Sequence, residues 1–334
     1  MRAWQVSAFG VDSLEFVERP TPAPGPGEVL VGVRAVSFNY RDLMVIKGQY
    51  NPKMKLPRIP CSDGAGEVVA TGAGVTAWKQ GDRVAGIFMQ NWLDGPFTAA
   101  KARGALGGDV DGMLADYVVL KEQGLVAIPH HLSYQEAATL PCAAVTAWNA
   151  LATGEVKPGS TVLILGTGGV SIFALQLARL RGARVLGISS SHEKLHRATS
   201  LGLDAGLNYR ENPEWDRWAR DQTGGEGVDL VVEVGGQGTL ARSLRAIRPG
   251  GTVAQIGVLA ASAEPLPIGL ILHKMARIHG IYVGSRKDFE EMNRAISLTE
   301  LRPVGEEFDW SQAREVLQRM EEGSHFGKLV VSVS

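Results

Sequence analysis

One segment near the middle of the chain limits the fold more than any other. The apolar run TVLIL (161–165) is followed by GTGGVS (166–171) and then by helical periodicity as far as Leu180. A continuous apolar run is typical of a parallel strand that is buried on both faces. Further apolar runs alternate with helical stretches up to RIHGIYVG (277–284). Six strands alternating with helices predict an α/β fold with one doubly wound parallel sheet.

The two ends of the chain have a different texture. Short apolar runs in the first third are separated by Pro/Gly clusters such as PTPAPGPGE (20–28), and the last fifty residues return to a mixed pattern. Short strands between such clusters indicate a partly antiparallel sheet or barrel. We therefore predict a discontinuous β-rich domain built from 1–129 and 284–334, around a parallel-sheet domain at 130–283.

The turn after TVLIL has the pattern of a dinucleotide-binding loop. Gly166 would make the tight turn, and Gly168 would let the backbone approach a pyrophosphate. The helix N-terminus at Gly169, Val170 and Ser171 would bind it. Ser171 stands where the motif has its third glycine; it is small enough for close helix–strand packing, and its hydroxyl can donate a hydrogen bond. A glycine turn without a ligand is the alternative, but the buried strand before the motif and the helix after it favour binding.

The end of the second parallel strand indicates which dinucleotide is bound. An NAD site has a carboxylate there, which accepts a hydrogen bond from the ribose 2′-hydroxyl. This chain has Ser189 and Ser190, then Lys194, and hydroxyls with an ammonium suit a 2′-phosphate. Tyr209, at the end of the third strand, would flank the adenine side. The serines can also cap the following helix, and the two roles are compatible. We predict NADPH rather than NADH.

Charge and cysteine content exclude several other classes. The chain has 34 basic and 35 acidic residues, and this balance argues against binding nucleic acid or a membrane surface through a charged face. Two cysteines cannot form a disulfide framework or a four-cysteine zinc site. The sequence shows no apolar stretch long enough to span a bilayer and no signal-peptide pattern. We expect a cytoplasmic protein.

Blocks along the whole chain resemble the medium-chain dehydrogenase/reductase superfamily. They include NYRD (39–42), DGAGEVVATGAGVTAWKQGDRVAG (63–86), the GTGGVS turn and GSHFGKLVV (323–331), in family order. The resemblance implies a GroES-like catalytic domain, made from both chain ends, around a central Rossmann domain. It also implies cofactor contacts from Thr146 at the nicotinamide and from Gly257 and Lys328 in the cofactor cleft. For Lys328, a surface lysine on a strand is the alternative.

The zinc ligands of the alcohol dehydrogenases in this superfamily are not matched. In the resemblance, Asn39 replaces the first ligand, a cysteine, and Ser62 replaces the histidine, so that only Cys142 stands at a ligand position. One thiolate cannot hold Zn²⁺, which takes three protein ligands at a catalytic site. A site rebuilt from Cys61, Asp63 and Cys142 is the alternative. We predict that no metal is bound.

A second pattern indicates a zinc-free branch. The spacing S-x-N-x-x-D-x-x-x-x-x-G-x-Y (37–50) resembles quinone oxidoreductases and zinc-free enoyl reductases. Reduction of an activated C=C needs hydride at the β-carbon and hydrogen bonds to the enolate oxygen rather than a Lewis acid. Asn39, Tyr50 and Tyr40 are the candidates to donate hydrogen bonds to the substrate or the cofactor amide. Arg41 and Asp42 are interpreted as a helix cap and a surface ion pair.

These residues together predict an NADPH-dependent, zinc-independent oxidoreductase that transfers hydride to a quinone or an α,β-unsaturated carbonyl. Two alternatives stay open. One is an NAD(P)-dependent alcohol dehydrogenase of unknown substrate. The other is a non-enzymatic NADPH-binding protein, like the lens crystallins of this superfamily.

The last predicted strand of the parallel sheet (277–284) is an apolar edge. An edge carrying Ile278, Ile281 and Val283 pairs with another chain unless something covers it. The resemblance implies a two-fold homodimer in which the two edge strands pair. The alternative is an edge that is covered by the C-terminal segment of its own chain.

Overall fold

The computed structural model describes residues 1–259 and 265–333. In chain order the strands are β1 (Arg2–Val6), β2 (Leu14–Glu18), β3 (Glu28–Phe38), β4 (Asp63–Thr71), β5 (Arg83–Gly86), β6 (Tyr117–Lys121), β7 (Leu125–Ala127), β8 (Thr161–Leu165), β9 (Arg184–Ser189), β10 (Ala205–Asn208), β11 (Val228–Glu233), β12 (Ile247–Gln255), β13 (Arg277–Gly280), β14 (Gly305–Asp309) and β15 (Lys328–Ser332). The α-helices are α1 (Tyr40–Ile46), α2 (Ala99–Ala102), α3 (Tyr134–Ala138), α4 (Val145–Thr153), α5 (Gly169–Leu180), α6 (His192–Ser200), α7 (Trp215–Asp221), α8 (Gln237–Ala246), α9 (Ile268–His273), α10 (Arg286–Thr299) and α11 (Ala313–Glu322). Within these described ranges, no helix combines the length and the apolar character needed to cross a membrane.

The chain divides into two compact units. Unit 1 contains Met1–Val145 and Gly284–Ser334, and unit 2 contains Thr146–Val283. The structure corrects the predicted boundary after residue 129, because 130–145 belongs to unit 1. Two hydrogen bonds connect segment 130–145 to the rest of unit 1. Gln135 Nε2 donates to Ser332 Oγ at 3.0 Å, and the Cys142 amide donates to Asp63 Oδ2 at 2.9 Å.

Unit 2 contains the predicted parallel sheet. Its strand order is β10-β9-β8-β11-β12-β13, and every neighbouring pair is parallel. This confirms the six-stranded α/β fold. The chain leaves β8 toward β9 on one side of the sheet and later returns to β11 on the other side. Such a reversal opens a crevice at the carboxyl ends of the two central strands, where doubly wound sheets bind their ligands.

Unit 1 is built around a mixed sheet with the order β14-β15-β3-β4-β5-β7, and β6 also pairs with β3. The strand β3 is the longest of this sheet, and antiparallel β15 pairs with its C-terminal half. The C-terminal segment is therefore hydrogen-bonded into the N-terminal domain, as the discontinuous β-rich domain requires. The pairing of β3 with β4 has register shifts, and the two backbones lie close together at Gly32 and Gly66. This contact requires glycine, since a Cβ on Gly66 would lie 2.1 Å from the Gly32 carbonyl oxygen.

Two elements differ from the sequence prediction. The 14-residue helix α10 was not predicted, although Ser285 and Asp288 form a capping box at its start. The edge strand β13 ends at Gly280, four residues earlier than predicted. Ile281 and Val283 are buried at 7% and 5% exposure. The Ile281 amide donates to the Gln255 carbonyl at 2.9 Å, and the Val283 carbonyl accepts from Asn149 Nδ2 at 2.9 Å. Of the three apolar residues predicted for the edge, only Ile278 is exposed there.

Candidate functional site

The glycine turn of unit 2 has the features that a phosphate requires. Gly166 has a φ of +71°, and a Cβ added there would meet no other atom within 4 Å, so the turn is open. Helix α5 begins at Gly169 after the N-cap Gly168, and no side chain caps it. The first amides of a long helix are thus left for a ligand. These residues fit a dinucleotide pyrophosphate.

Ser171 donates the hydrogen bond of its hydroxyl within unit 2. Its Oγ donates to the Leu165 carbonyl at 2.7 Å, and the side chain is buried. The hydroxyl proton therefore fastens α5 to the end of β8 and is not directed at a phosphate. Small size at this position is still needed, because the helix packs closely on the strand. The backbone amide of Ser171 stays a candidate contact, together with that of Val170.

The turn after β9 consists of serines (189–191) and caps the next helix, and the nearby Glu211 carboxylate contacts His192 Nε2 at 2.5 Å. Ser191 is the N-cap of α6, and its Oγ accepts from the Lys194 amide at 3.3 Å. Ser189 is buried; its Oγ accepts from the Ser191 amide, and its carbonyl accepts from the Tyr209 amide. Half-buried Ser190 and Lys194 follow the same strand end. An ammonium and hydroxyls at this place fit a 2′-phosphate.

The loops after β11 and β12 meet at the same end of the sheet. The Gly257 amide donates to the Glu233 carbonyl at 3.0 Å, and a Cβ on Gly257 would lie 1.7 Å from the Val234 carbonyl oxygen. Gly257 is therefore required by this backbone contact, whatever its role toward the cofactor. The segment 260–264, which follows this loop, lies outside the described residues.

Glu233 supports the loop after β11 beside the predicted cofactor site, and it was not among the residues predicted from the sequence. Its carboxylate is fully buried at the end of β11. It accepts hydrogen bonds from the amides of Gly235 and Gly236 and from the hydroxyls of Thr239 and Ser243. The signal in the sequence was an acidic residue inside the apolar run VVEV (231–234). The carboxylate fixes the loop that faces the Gly166 turn across the reversal in strand order.

Unit 1 contains a buried polar cluster around Asn39. Lys328 is 3% exposed, and its Nζ donates to the Phe38 carbonyl and to Asn39 Oδ1, both at 2.5 Å. The alternative of a surface lysine is therefore wrong. The backbone N–H of Asn39 donates to Asp42 Oδ2 at 2.8 Å, which closes the first turn of α1. The register of β15 on β3 brings Lys328 to Asn39, since Leu329 pairs with Phe38.

Asp63 is the second carboxylate of this cluster and is fully buried. Its oxygens accept from Ser62 Oγ at 2.7 Å and from the Cys142 amide at 2.9 Å. Burial raises the pKa of Asp63 to about 6, while the Lys328 ammonium acts in the opposite direction. Burial also raises the pKa of the thiols of Cys61 and Cys142.

Arg41 and Asp42 are not a surface pair, which corrects the sequence interpretation. Their side chains are 10% and 0% exposed, and they are 3.3 Å apart. The Arg41 guanidinium lies near the rings of Tyr50 and Phe88, at 5.2 and 4.9 Å, and donates to the Leu106 carbonyl. Tyr50 is exposed and is held against this guanidinium. Tyr40, the other tyrosine candidate, is 41% exposed. Of the three catalytic candidates, only Asn39 belongs to the buried cluster.

The residues of this cluster do not fit a catalytic zinc ion. Asn39 Oδ1 is bound to an ammonium and the Ser62 hydroxyl to Asp63, so neither replaces a thiolate or imidazole ligand. The rebuilt alternative of Cys61, Asp63 and Cys142 is not supported. Across the described ranges, no three His, Cys, Asp or Glu side chains are placed to hold a metal ion.

Comparison with known proteins identifies the family. The alcohol dehydrogenase GroES-like domain matches residues 25–130, and the zinc-binding dehydrogenase domain matches 169–297. The chain is 42% identical to a zinc-type alcohol dehydrogenase-like protein of Schizosaccharomyces pombe, over 97% of this chain and 96% of the relative. It is 30% identical to an acryloyl-coenzyme A reductase of Metallosphaera sedula, over 87% of each chain. The solved structure of an NAD-dependent alcohol dehydrogenase matches with a TM-score of 0.92 and 34% identity, over 100% of both chains. The protein is therefore a pyridine-nucleotide-dependent oxidoreductase that belongs to the medium-chain dehydrogenase/reductase superfamily.

Proposed function

We propose that this enzyme transfers hydride from NADPH to a quinone or an α,β-unsaturated carbonyl, without zinc. The pairing of Lys328 with Asn39 carries the proposal. Asn39 stands where the zinc-dependent members have their first zinc ligand, and its side-chain oxygen accepts a hydrogen bond from the buried Lys328 ammonium. An ammonium at this distance would repel a divalent cation in a site of low dielectric. The same ammonium adds positive charge where a substrate oxygen becomes negative.

Reduction of an activated double bond suits this set of residues. When bound, NADPH supplies the hydride, which adds to the β-carbon as the π electrons of the C=C bond move to the carbonyl oxygen. The residues of unit 1 then have to stabilise the negative oxygen until a proton from solvent reaches the α-carbon. Asn39 Nδ2 is the donor that we assign to this oxygen. A quinone accepts hydride in the same way and becomes a hydroquinone after protonation.

Alcohol dehydrogenation is the second candidate, because the names of two of the relatives favour it. The S. pombe relative is named zinc-type and the solved neighbour NAD-dependent. Oxidation of a simple alcohol requires removal of the hydroxyl proton and a Lewis acid or base beside the oxygen. The buried cluster offers Asp63 as a base, but both of its oxygens accept hydrogen bonds from within unit 1. This arrangement favours the reductase.

A substrate panel tests the proposed function. NADPH oxidation is followed at 340 nm with 1,4-benzoquinone, 2-cyclohexenone and acryloyl-coenzyme A, beside NADP⁺ reduction with primary and secondary alcohols. We expect turnover in the first group and its persistence after dialysis against a chelator. Elemental analysis of the same sample is expected to find far less than one zinc per chain. Turnover of alcohols alone, with one zinc per chain and loss on chelation, would select the second candidate.

Cofactor choice is predicted from the turn after β9. We propose that Lys194 contacts the 2′-phosphate, so that Lys194→Met weakens NADPH binding by about 1–3 kcal/mol and leaves NADH binding unchanged. Arg197→Met removes an exposed cation one turn further along α6 and serves as the matched control. Fluorescence titration of the parent and both variants with NADPH and with NADH, six protein–cofactor pairs in all, measures the effect. Equal affinities of the parent protein for NADPH and NADH would contradict the prediction.

Assembly is predicted from the edge of the unit 2 sheet. Within the described residues β13 pairs only with β12, and all four of its residues are exposed. Exposed apolar side chains lie beside it in sequence, namely Ile268, Leu272 and Met275 at 72%, 74% and 81% exposure. We propose a two-fold homodimer through this edge. Light scattering should give twice the mass of one chain, and Ile278→Lys should give a monomer. A monomeric parent at micromolar concentration would refute it.

A further inference from the structure

We infer that Lys328 is a positioning residue: it holds Oδ1 of the Asn39 side-chain amide, so that Nδ2 is oriented to donate a hydrogen bond to the substrate oxygen. This inference rests on the proposed function, since it concerns the group that stabilises the negative oxygen. It assigns Lys328 to the substrate side of the chemistry, whereas the resemblance assigns it to the cofactor. Three features of the buried cluster in unit 1 support this role.

The first feature is the fixed orientation of the amide. An ammonium has only donors, so it can bind the oxygen end of an asparagine side chain and not the nitrogen end. Lys328 Nζ lies 2.5 Å from Asn39 Oδ1, and a second N–H goes to the Phe38 carbonyl. Both acceptors belong to the end of β3 and the residue that follows it. The paired backbones of β3 and β15 therefore hold the lysine and the asparagine in one geometry.

The second feature is the unused donor on the other end of the amide. Asn39 Nδ2 is buried and makes no hydrogen bond, and the residue as a whole is 8% exposed. The Asn39 side chain lies near enough to the Asp63 carboxylate to lower its pKa as a weak hydrogen-bond donor, but no contact of Nδ2 has full hydrogen-bond geometry. The Asp63 oxygens already accept from Ser62 and Cys142. Buried donors without partners are rare in native proteins, and a catalytic role is one of the explanations for such a group.

The third feature is electronic. A cation bound to an amide oxygen draws electron density from the nitrogen and makes its N–H groups stronger donors, and such chains strengthen each other at low dielectric. The positive charge of Lys328 thus reaches the substrate through Asn39, without contact between the ammonium and the substrate. An Nδ2 donor aimed at the developing oxyanion supplies the type of stabilisation that an oxyanion hole provides.

Single-turnover kinetics on the NADPH-loaded enzyme test the inference. The rate of NADPH absorbance loss is measured with the fastest acceptor of the substrate panel, and NADPH affinity is measured separately by fluorescence. We expect Lys328→Met and Asn39→Asp each to slow hydride transfer by about 100-fold, with NADPH affinity unchanged. Lys328→Arg should recover part of the rate, because a guanidinium also donates to the amide oxygen. Weakened NADPH binding in Lys328→Met at an unchanged transfer rate would overturn the inference and return Lys328 to the cofactor.

A spectroscopic measurement separates failure of this inference from failure of the proposed function. In protein labelled with ¹⁵N-asparagine, the side-chain resonances of Asn39 are identified by their loss in Asn39→Asp. A polarised amide should resonate downfield of the other asparagine side chains and should move in Lys328→Arg. Unchanged resonances in that variant would overturn the pairing even in an active enzyme. If the parent reduces no panel acceptor, the proposed function fails, and this spectrum alone decides whether the pairing exists.

Discussion

A single methyl group at residue 166 is expected to weaken NADPH binding by at least about 100-fold. The Gly166→Ala side chain would occupy the open space in front of the turn, where no protein atom lies within 4 Å. Charge-assisted hydrogen bonds from the helix amides to a phosphate contribute about 1.5–3 kcal/mol each. Loss of two such bonds when the pyrophosphate is displaced therefore lowers the NADPH affinity by at least about 100-fold. An isothermal titration with NADPH measures the loss.

The matched control for this prediction lies at the other end of the same strand. Gly159 precedes β8, has a φ of +87° and also has no atom within 4 Å of an added Cβ. Alanine in the left-handed region costs about 1–2 kcal/mol at either position, so both variants should lose similar stability. Only Gly166→Ala should lose cofactor affinity. A similar loss of affinity in both variants would show that backbone strain, and not the filled turn, is responsible.

The parallel sheet was predictable because its physical signature is local. Strands buried on both faces must be continuous apolar runs, and β8 was therefore identified with both ends correct. Helix α10 was missed because its apolar residues are few and spread along an amphipathic face, although its capping box was readable in the sequence. The boundary at residue 129 was placed too early because 130–145 is held to unit 1 by contacts that no local pattern reveals.

The buried cluster of unit 1 could be predicted only in part. Asn39 was identified from its place in a family block, but the direction of Lys328 depends on the register of β15 against β3, which are separated by almost 290 residues. Sequence periodicity places a residue on a face of a strand, not against a partner strand far along the chain. The burial of Asp42 and Asp63 was missed for the same reason, since both residues are acidic and acidic residues are mostly exposed.

Glu233 should prove the most sensitive position for the stability of unit 2. Loss of its carboxylate in Glu233→Ala leaves the Gly235 and Gly236 amides without their acceptor, each at a cost of about 1–3 kcal/mol. The Thr239 hydroxyl is less affected, because its Oγ1 also donates to the Gly236 carbonyl at 3.1 Å. We expect a loss of about 2–6 kcal/mol in the free energy of opening this region. The loss should appear as faster amide hydrogen exchange in helix α8.

Glu233→Gln separates the hydrogen bonds from the charge. Its amide oxygen can still accept from both glycine amides and from Thr239, while its NH₂ group would face the Ser243 hydroxyl, which can rotate to accept. The loss should therefore be about 1 kcal/mol. Glu193→Ala on the exposed face of α6 controls for removal of a negative charge from unit 2. Equal exchange in Glu233→Ala and the parent would show that the carboxylate does not hold this loop. A Glu233→Gln variant as unstable as Glu233→Ala would show instead that the negative charge at the start of α8, and not the pattern of acceptors, is what the loop requires.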